Sequence, residues 1–207
     1  MNTSKLDAIR DWPQPTNLKK LREFLRITGY YRIFVYKYAQ LASPLTDLFK
    51  KDAFLWSAVA TTTFSQLKAT LMKTPMLASP NFSEALILET DASGFGVAAI
   101  LSQANHPIAY FSKKMSTRMQ RQSTYTREFY AITATLAKFC PYLLGHKFII
   151  KTDQKSLKEL LEQWLQTPEQ QQWLPKFLGF DFVSFKMVEM PRRGGGLNWI
   201  VKNLGNL

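Results

Sequence analysis

A single cysteine, Cys140, and two histidines, His106 and His146, stand in a chain of 207 residues. One cysteine excludes an internal disulfide framework, and with two histidines it cannot furnish an ordinary zinc finger. Such cysteine poverty is compatible with a reducing compartment. No apolar run approaches the roughly 20 residues that cross a bilayer, and the polar, charged start lacks the apolar region of a signal peptide. The expectation is a soluble intracellular chain, in cytoplasm or nucleus. Internal repeats are lacking, and low complexity is confined to Gln170 to Gln172 and Gly194 to Gly196.

Acidic residues are also scarce. There are 15 against 27 lysines and arginines, a formal charge of +12. The surplus extends over both the first eighty residues and the rest, which fits a polyanionic partner such as nucleic acid; a merely solvated basic surface is the other reading. An apolar fraction of 46% is ample for a buried core, and the length permits one large or two small domains.

The first eighty residues read as helical. Leu18, Leu21 and Leu25 recur at helical spacing from a Thr16 or Asn17 cap, with Gly29 as the stop. Tyr30 to Leu41 is a second helical candidate, followed by a short helical turn around Pro44 to Phe49. Ser57 can cap a further helix to about Lys73 with Val59, Phe64, Leu67 and Leu71 on its apolar side, although three consecutive threonines weaken it. A linker carrying Pro75 and Pro80 follows. The pattern then changes to strands at 85 to 91, 96 to 102 and 107 to 112, an antiparallel meander with turns at Gly94, Gly96 and Asn105 to Pro107. A helix over 124 to 139, interrupted at its end by Pro141, precedes a strand at 147 to 152 and helices near 154 to 163 and 168 to 177. Such a succession predicts a mixed α/β sheet with helices packed on it.

Three acidic residues stand out. Asp91 ends the apolar run Leu86-Ile87-Leu88-Glu89-Thr90, just before Ala92-Ser93-Gly94. Glu128 lies in the helical stretch Tyr125 to Ile132, and Asp153 ends Phe148 to Thr152. Strand-end Asp, helix Glu and strand-end Asp is a common way to assemble a divalent-metal site, because carboxylates suit a hard ion such as Mg²⁺. Each has a plainer reading: Asp91 as a turn starter, Glu128 as a surface salt-bridge partner, Asp153 as a helix N-cap. Lys113, Lys114, Lys155 and Lys158 lie near these acids and are candidate phosphate contacts. Arg32 and Lys37, interleaved with Tyr30, Tyr31, Phe34, Tyr36 and Tyr38, form a second candidate nucleic-acid surface by stacking and phosphate pairing, with helix core as the alternative role of the aromatics. Cys140 and the histidines have no partners at metal or triad spacing.

Around these acids the chain resembles the ribonuclease H domain of gypsy-type LTR retrotransposon Pol polyproteins. The blocks Ile9-Arg10-Asp11-Trp12-Pro13, Leu21 to Leu25, Thr28 to Arg32 and Phe64 to Lys68 resemble the reverse transcriptase thumb and tether. His106 to Lys113, Tyr142 to Gly145 and Thr152 to Leu157 resemble the nuclease core. The resemblance implies an RNase H-like mixed five-stranded sheet flanked by helices over 81–207, preceded by a small helical thumb and connection-like segment and linker over 1–80. It further implies endonucleolytic cleavage of RNA in RNA–DNA hybrids, with two Mg²⁺ (or Mn²⁺) ions held by Asp91, Glu128 and Asp153, and a polymerase portion upstream in the polyprotein. No polymerase palm is carried here. The family's fourth acid is missing: with Asn198 and Leu204 in register, Lys202 occupies its place, and a cation there repels a metal. From about Lys186 the match is poor and suggests divergence or an altered reading frame. The alternatives are a catalytically decayed remnant that binds nucleic acid and a stable domain without activity.

Overall fold

In a computed structural model of the chain, residues 3–50, 54–73, 76–152 and 179–187 are described. The first element is a helix that periodicity did not predict, α1 (Thr3–Arg10), whose Ile9 is fully buried. Helix α2 (Leu18–Tyr30) starts where Asn17 caps it, the side-chain carbonyl accepting the Lys20 N–H at 2.9 Å. Leu21, Phe24 and Thr28 form its buried stripe. Gly29 is not the stop: it continues the helix, and the chain tightens into a 3₁₀ turn at Tyr31–Phe34. The second expected helix is therefore broken. Val35 is extended and Lys37 is left-handed (φ 55°, ψ 30°) before α3 (Tyr38–Leu41) and α4 (Ser43–Asp47), the latter with Pro44 in its first turn.

Helix α5 (Ala58–Met72) keeps the expected Ser57 cap, which accepts the Ala60 N–H at 3.2 Å. Its threonines are accommodated by donation back along the helix, Thr61 to Ser57, Thr62 to Ala58 and Thr70 to Gln66. Val59 is not on the apolar side; it is 61% exposed, and Ala60 takes the core position beside Phe64, Leu67 and Leu71. These residues close a core with Ile9, Leu21, Phe24 and Leu45, in which the Phe24 and Phe64 rings lie 4.6 Å apart.

Strands β1 (Leu86–Ala92), β2 (Gly96–Gln103) and β3 (His106–Lys114) form the expected meander. The β2–β3 turn is made by Ala104 and Asn105, both at positive φ, a tight two-residue reversal that suits strand twist. A short helix, α6 (Thr117–Gln120), leads to α7 (Thr124–Leu143), capped by Ser123. Pro141 does not end α7. It removes one backbone donor in the final turn, while buried Phe139 and Leu143 hold that turn on the sheet. Strand β4 (Phe148–Thr152) pairs parallel with β1, and β5 (Phe182–Met187) pairs parallel with β4, giving five strands in the order β3-β2-β1-β4-β5. The fifth strand was implied by the resemblance, not by the residue pattern. The helices expected near 154 to 163 and 168 to 177 lie outside the described residues.

The sheet core is built by Leu86, Leu88, Leu101, Phe129, Ile132, Leu136, Phe139, Phe148 and Ile150. The helical unit meets the β3 side of the sheet through specific contacts. The Ala39 N–H donates to Ser112 Oγ at 2.8 Å, Lys114 pairs with Asp47 at 2.6 Å, and the Tyr36 and Tyr110 rings lie 6.1 Å apart.

Candidate acidic site at the end of strand β1

Burial alternates along β1: Leu86, Leu88, Thr90 and Ala92 are buried, whereas Ile87, Glu89 and Asp91 are partly exposed. The Asp91 carboxylate thus belongs to the register that is not sealed by the core. Just beyond it the chain reverses through Ser93, whose hydroxyl accepts the Gly96 N–H at 3.1 Å while its own N–H donates to the Gly96 carbonyl at 3.0 Å. Gly96 is required for a reason other than turn geometry. A Cβ there would sit 2.9 Å from the Lys113 carbonyl oxygen and 3.1 Å from the Gln40 amide nitrogen, so the absence of a side chain lets β2, β3 and α3 close together.

Glu128 departs from its plain surface reading. It is 2% exposed, on the face of α7 that carries Phe129, Ile132 and Leu136, and its Oε1 accepts the Ala92 N–H at 3.1 Å. Helix α7 therefore delivers a buried carboxylate to the backbone next to Asp91. Beside it, the Arg127 guanidinium donates to Thr124 Oγ1 at 3.1 Å and lies where a Cβ on Gly94 would be 3.5 Å away. Tyr125, one turn earlier, has a buried hydroxyl whose pKa desolvation pushes up to about 12, so it stays protonated at neutral pH.

Asp91 carries an ion pair with Lys37, the left-handed residue before α3. Burial alone would lower the pKa of the Lys37 ammonium; the Asp91 carboxylate and Tyr36 outweigh it and raise the pKa above the ordinary lysine value. On the same face Lys151 reaches Glu89 at 3.4 Å. The sequence had assigned Lys37 only to a nucleic-acid surface. Nothing in local pattern couples it to Asp91, because the two are brought together by the packing of α3 on β3.

Asp153 lies outside the described residues, as do Lys155, Lys158 and Lys202; Thr152, which precedes Asp153, closes β4, the parallel neighbour of β1. Among the described residues no three His, Cys, Asp or Glu side chains gather in one group. Of the candidate phosphate contacts, Lys114 is engaged by Asp47, Lys113 lies over the Tyr130 ring at 5.6 Å, and Arg32 is exposed. Tyr31 and Tyr38 are buried core aromatics, whereas Tyr30 is largely exposed. Among the described residues no helix is long and apolar enough to cross a membrane.

With this geometry in hand, residues 56–150 match the family model for the RNase H-like domain found in reverse transcriptase. The chain is 36% identical over 174 residues to the retrovirus-related Pol polyprotein from transposon 297 of Drosophila melanogaster, an alignment covering 79% of this chain and 16% of that protein. It is 37% identical over 160 residues to the transposon Tf2-3 polyprotein of Schizosaccharomyces pombe, covering 73% and 12% respectively. The chain thus spans less than a fifth of the length of these relatives. Its fold is shared with a foamy viral protease-reverse transcriptase solved in complex with an RNA/DNA hybrid (TM-score 0.78, 16% identity, 100% of this chain and 30% of that one). A second foamy viral protease-reverse transcriptase structure, in complex with double-stranded DNA, superposes with a TM-score of 0.80 at 17% identity over 93% of this chain and 36% of that one.

Proposed function

Because residues 56–150 belong to the RNase H-like domain family of reverse transcriptases, within a chain related to LTR-retrotransposon Pol polyproteins, we propose that it cleaves the RNA strand of RNA–DNA hybrids in a divalent-metal-dependent reaction. The observation that carries this reading is the buried Glu128 carboxylate seated against the Ala92 backbone, one residue beyond Asp91. That placement puts a second oxygen-donor side chain beside the end of the strand that carries Asp91, which is what a shared site for a hard divalent cation requires.

The donor chemistry fits Mg²⁺ or Mn²⁺. Asp91 and Glu128 offer only oxygen, which hard divalent ions prefer, and Asp91 already draws a cation in the form of the Lys37 ammonium. In our proposal Asp91 and Glu128 hold the metal together with Asp153, which follows the last residue of β4. Bound there, such ions supply activation of water and stabilisation of the leaving oxygen in phosphodiester cleavage. The chain's own residues fix the ligands. The Ala92 N–H orients Glu128, and the tight Ser93 to Gly96 reversal ends β1 at the site.

We assign residues 1–80 to a thumb and connection-like unit and 81–207 to the nuclease unit, supported by separate apolar cores for the helices and for the sheet; the family match begins earlier, at residue 56, and so takes in α5 of the helical unit. The basic surplus favours a nucleic-acid partner, and the polymerase portion would come from a longer polyprotein. The test uses a hybrid labelled on its RNA strand. Cleavage should require Mg²⁺ or Mn²⁺, stop in chelator, and vanish in Asp91→Asn, a change that keeps shape while removing charge. Cleavage that persists in Asp91→Asn or in chelator refutes the assignment; hybrid binding without cleavage by the parent would favour the decayed remnant.

A further inference from the structure

Lys37 is held in place from several directions. Its backbone is left-handed, a conformation that the Cβ of an L-residue disfavours, so the surrounding packing must impose it. On one side Tyr36 packs near Tyr110 of β3, with the Lys37 ammonium 5.2 Å from the Tyr36 ring centre. On the other, the Ala39 N–H donates to Ser112 Oγ at 2.8 Å, and the Gln40 side chain fits against Gly96. The segment 36–40 is thus fastened to β2 and β3 at both ends of the lysine, and its ammonium rests on Asp91 Oδ2.

We infer that Lys37 is an intramolecular counter-ion that occupies the Asp91 carboxylate and competes with a divalent cation for it, so that cation binding requires the ammonium to swing away. This rests on the proposed role of Asp91 as a metal ligand. The two charges cannot share the carboxylate without mutual repulsion, and the lysine is tethered by the fold, so its effective concentration at Asp91 does not fall on dilution. The side chains are 41% and 21% exposed, which leaves the ammonium a route into solvent and makes the competition reversible. The helical unit, by supplying Lys37, thereby sets the cation requirement of the sheet.

The test is Mn²⁺ binding to the full chain, read by the loss of the free-ion electron paramagnetic resonance signal in the absence of nucleic acid. Lys37→Met keeps the stem and removes the charge; Lys37→Arg keeps the charge. Thermal melts of each variant establish that it is folded. Lys37→Met should bind Mn²⁺ roughly two- to fivefold more tightly than the parent, the scale expected for releasing a partly exposed ion pair. Lys37→Arg should bind as weakly as the parent, and Asp91→Asn should abolish the gain. Equal affinity in Lys37→Met and the parent, with binding still lost in Asp91→Asn, overturns the counter-ion role and leaves the metal site standing. Binding that Asp91→Asn does not change overturns the site and the inference together.

Discussion

Glu128 shows how one residue can serve both stability and chemistry. It is buried, and its Oε1 satisfies the Ala92 N–H, so its loss strands a backbone donor in the interior. Glu128→Leu is expected to lower stability by about 1–3 kcal/mol, the scale of a buried donor left without an acceptor. Glu128→Gln retains a carbonyl acceptor and should melt close to the parent while losing metal-dependent cleavage. Chemical denaturation and cleavage measured on both variants check this; an active Glu128→Gln contradicts the proposed ligand role. Gly96 makes a complementary case. Alanine there would press its Cβ against the Lys113 carbonyl and the Gln40 amide, so Gly96→Ala should destabilise by about 1–3 kcal/mol through overpacking. An unchanged denaturation midpoint would show that the β2, β3 and α3 contact has room to spare. The sequence marked both positions, but Gly96 as a turn residue and Glu128 as a solvent-facing one unless the resemblance held. Burial and close approach depend on partners distant in the chain.

Elements were legible where their stability is local. The meander and α5 declare themselves through alternation, turn residues and the Ser57 cap. Helix α1 does not, because its burial comes through contact with α5 and α2 and not from a long periodic stripe. The break between Phe34 and Tyr38 was likewise hidden, since a run of aromatics fits a helix until packing on β3 forces Lys37 left-handed. One ion pair between elements is open to a pH test. Burial raises the Asp47 pKa, but Lys114 and Lys50 outweigh it and hold the carboxyl below the ordinary aspartate value. A depressed folded pKa means the stabilisation is present above the unfolded value of about 3.9 and is lost as pH falls through the folded one. Both partners are well exposed, so Asp47→Asn should cost no more than about 1 kcal/mol at neutral pH. Urea midpoints of parent and Asp47→Asn should converge as pH drops below about 4; a gap undiminished in acid would assign the effect to packing.

At the scale of the molecule, a helical unit with its own core is fastened to one side of an RNase H-like sheet, and through Lys37 it reaches the carboxylate on which the proposed chemistry depends. The mixed sheet was foreseeable because strand, helix and strand follow a meander. Its fifth strand was foreseeable only from the resemblance and not from the residue pattern, since Phe182–Met187 acquires its identity by pairing with β4. The proposed site requires Asp91, Glu128 and Asp153 to act together, and groups that act as one unit are not additive when removed. The most direct test is a double-mutant cycle on hybrid cleavage at saturating Mg²⁺, with Asp91→Asn, Asp153→Asn and the pair combined. Each single change should reduce the rate to the same residual level, and the double variant should lose little more. Parent-like cleavage by Asp153→Asn, or losses that multiply in the double variant, would contradict a single shared site.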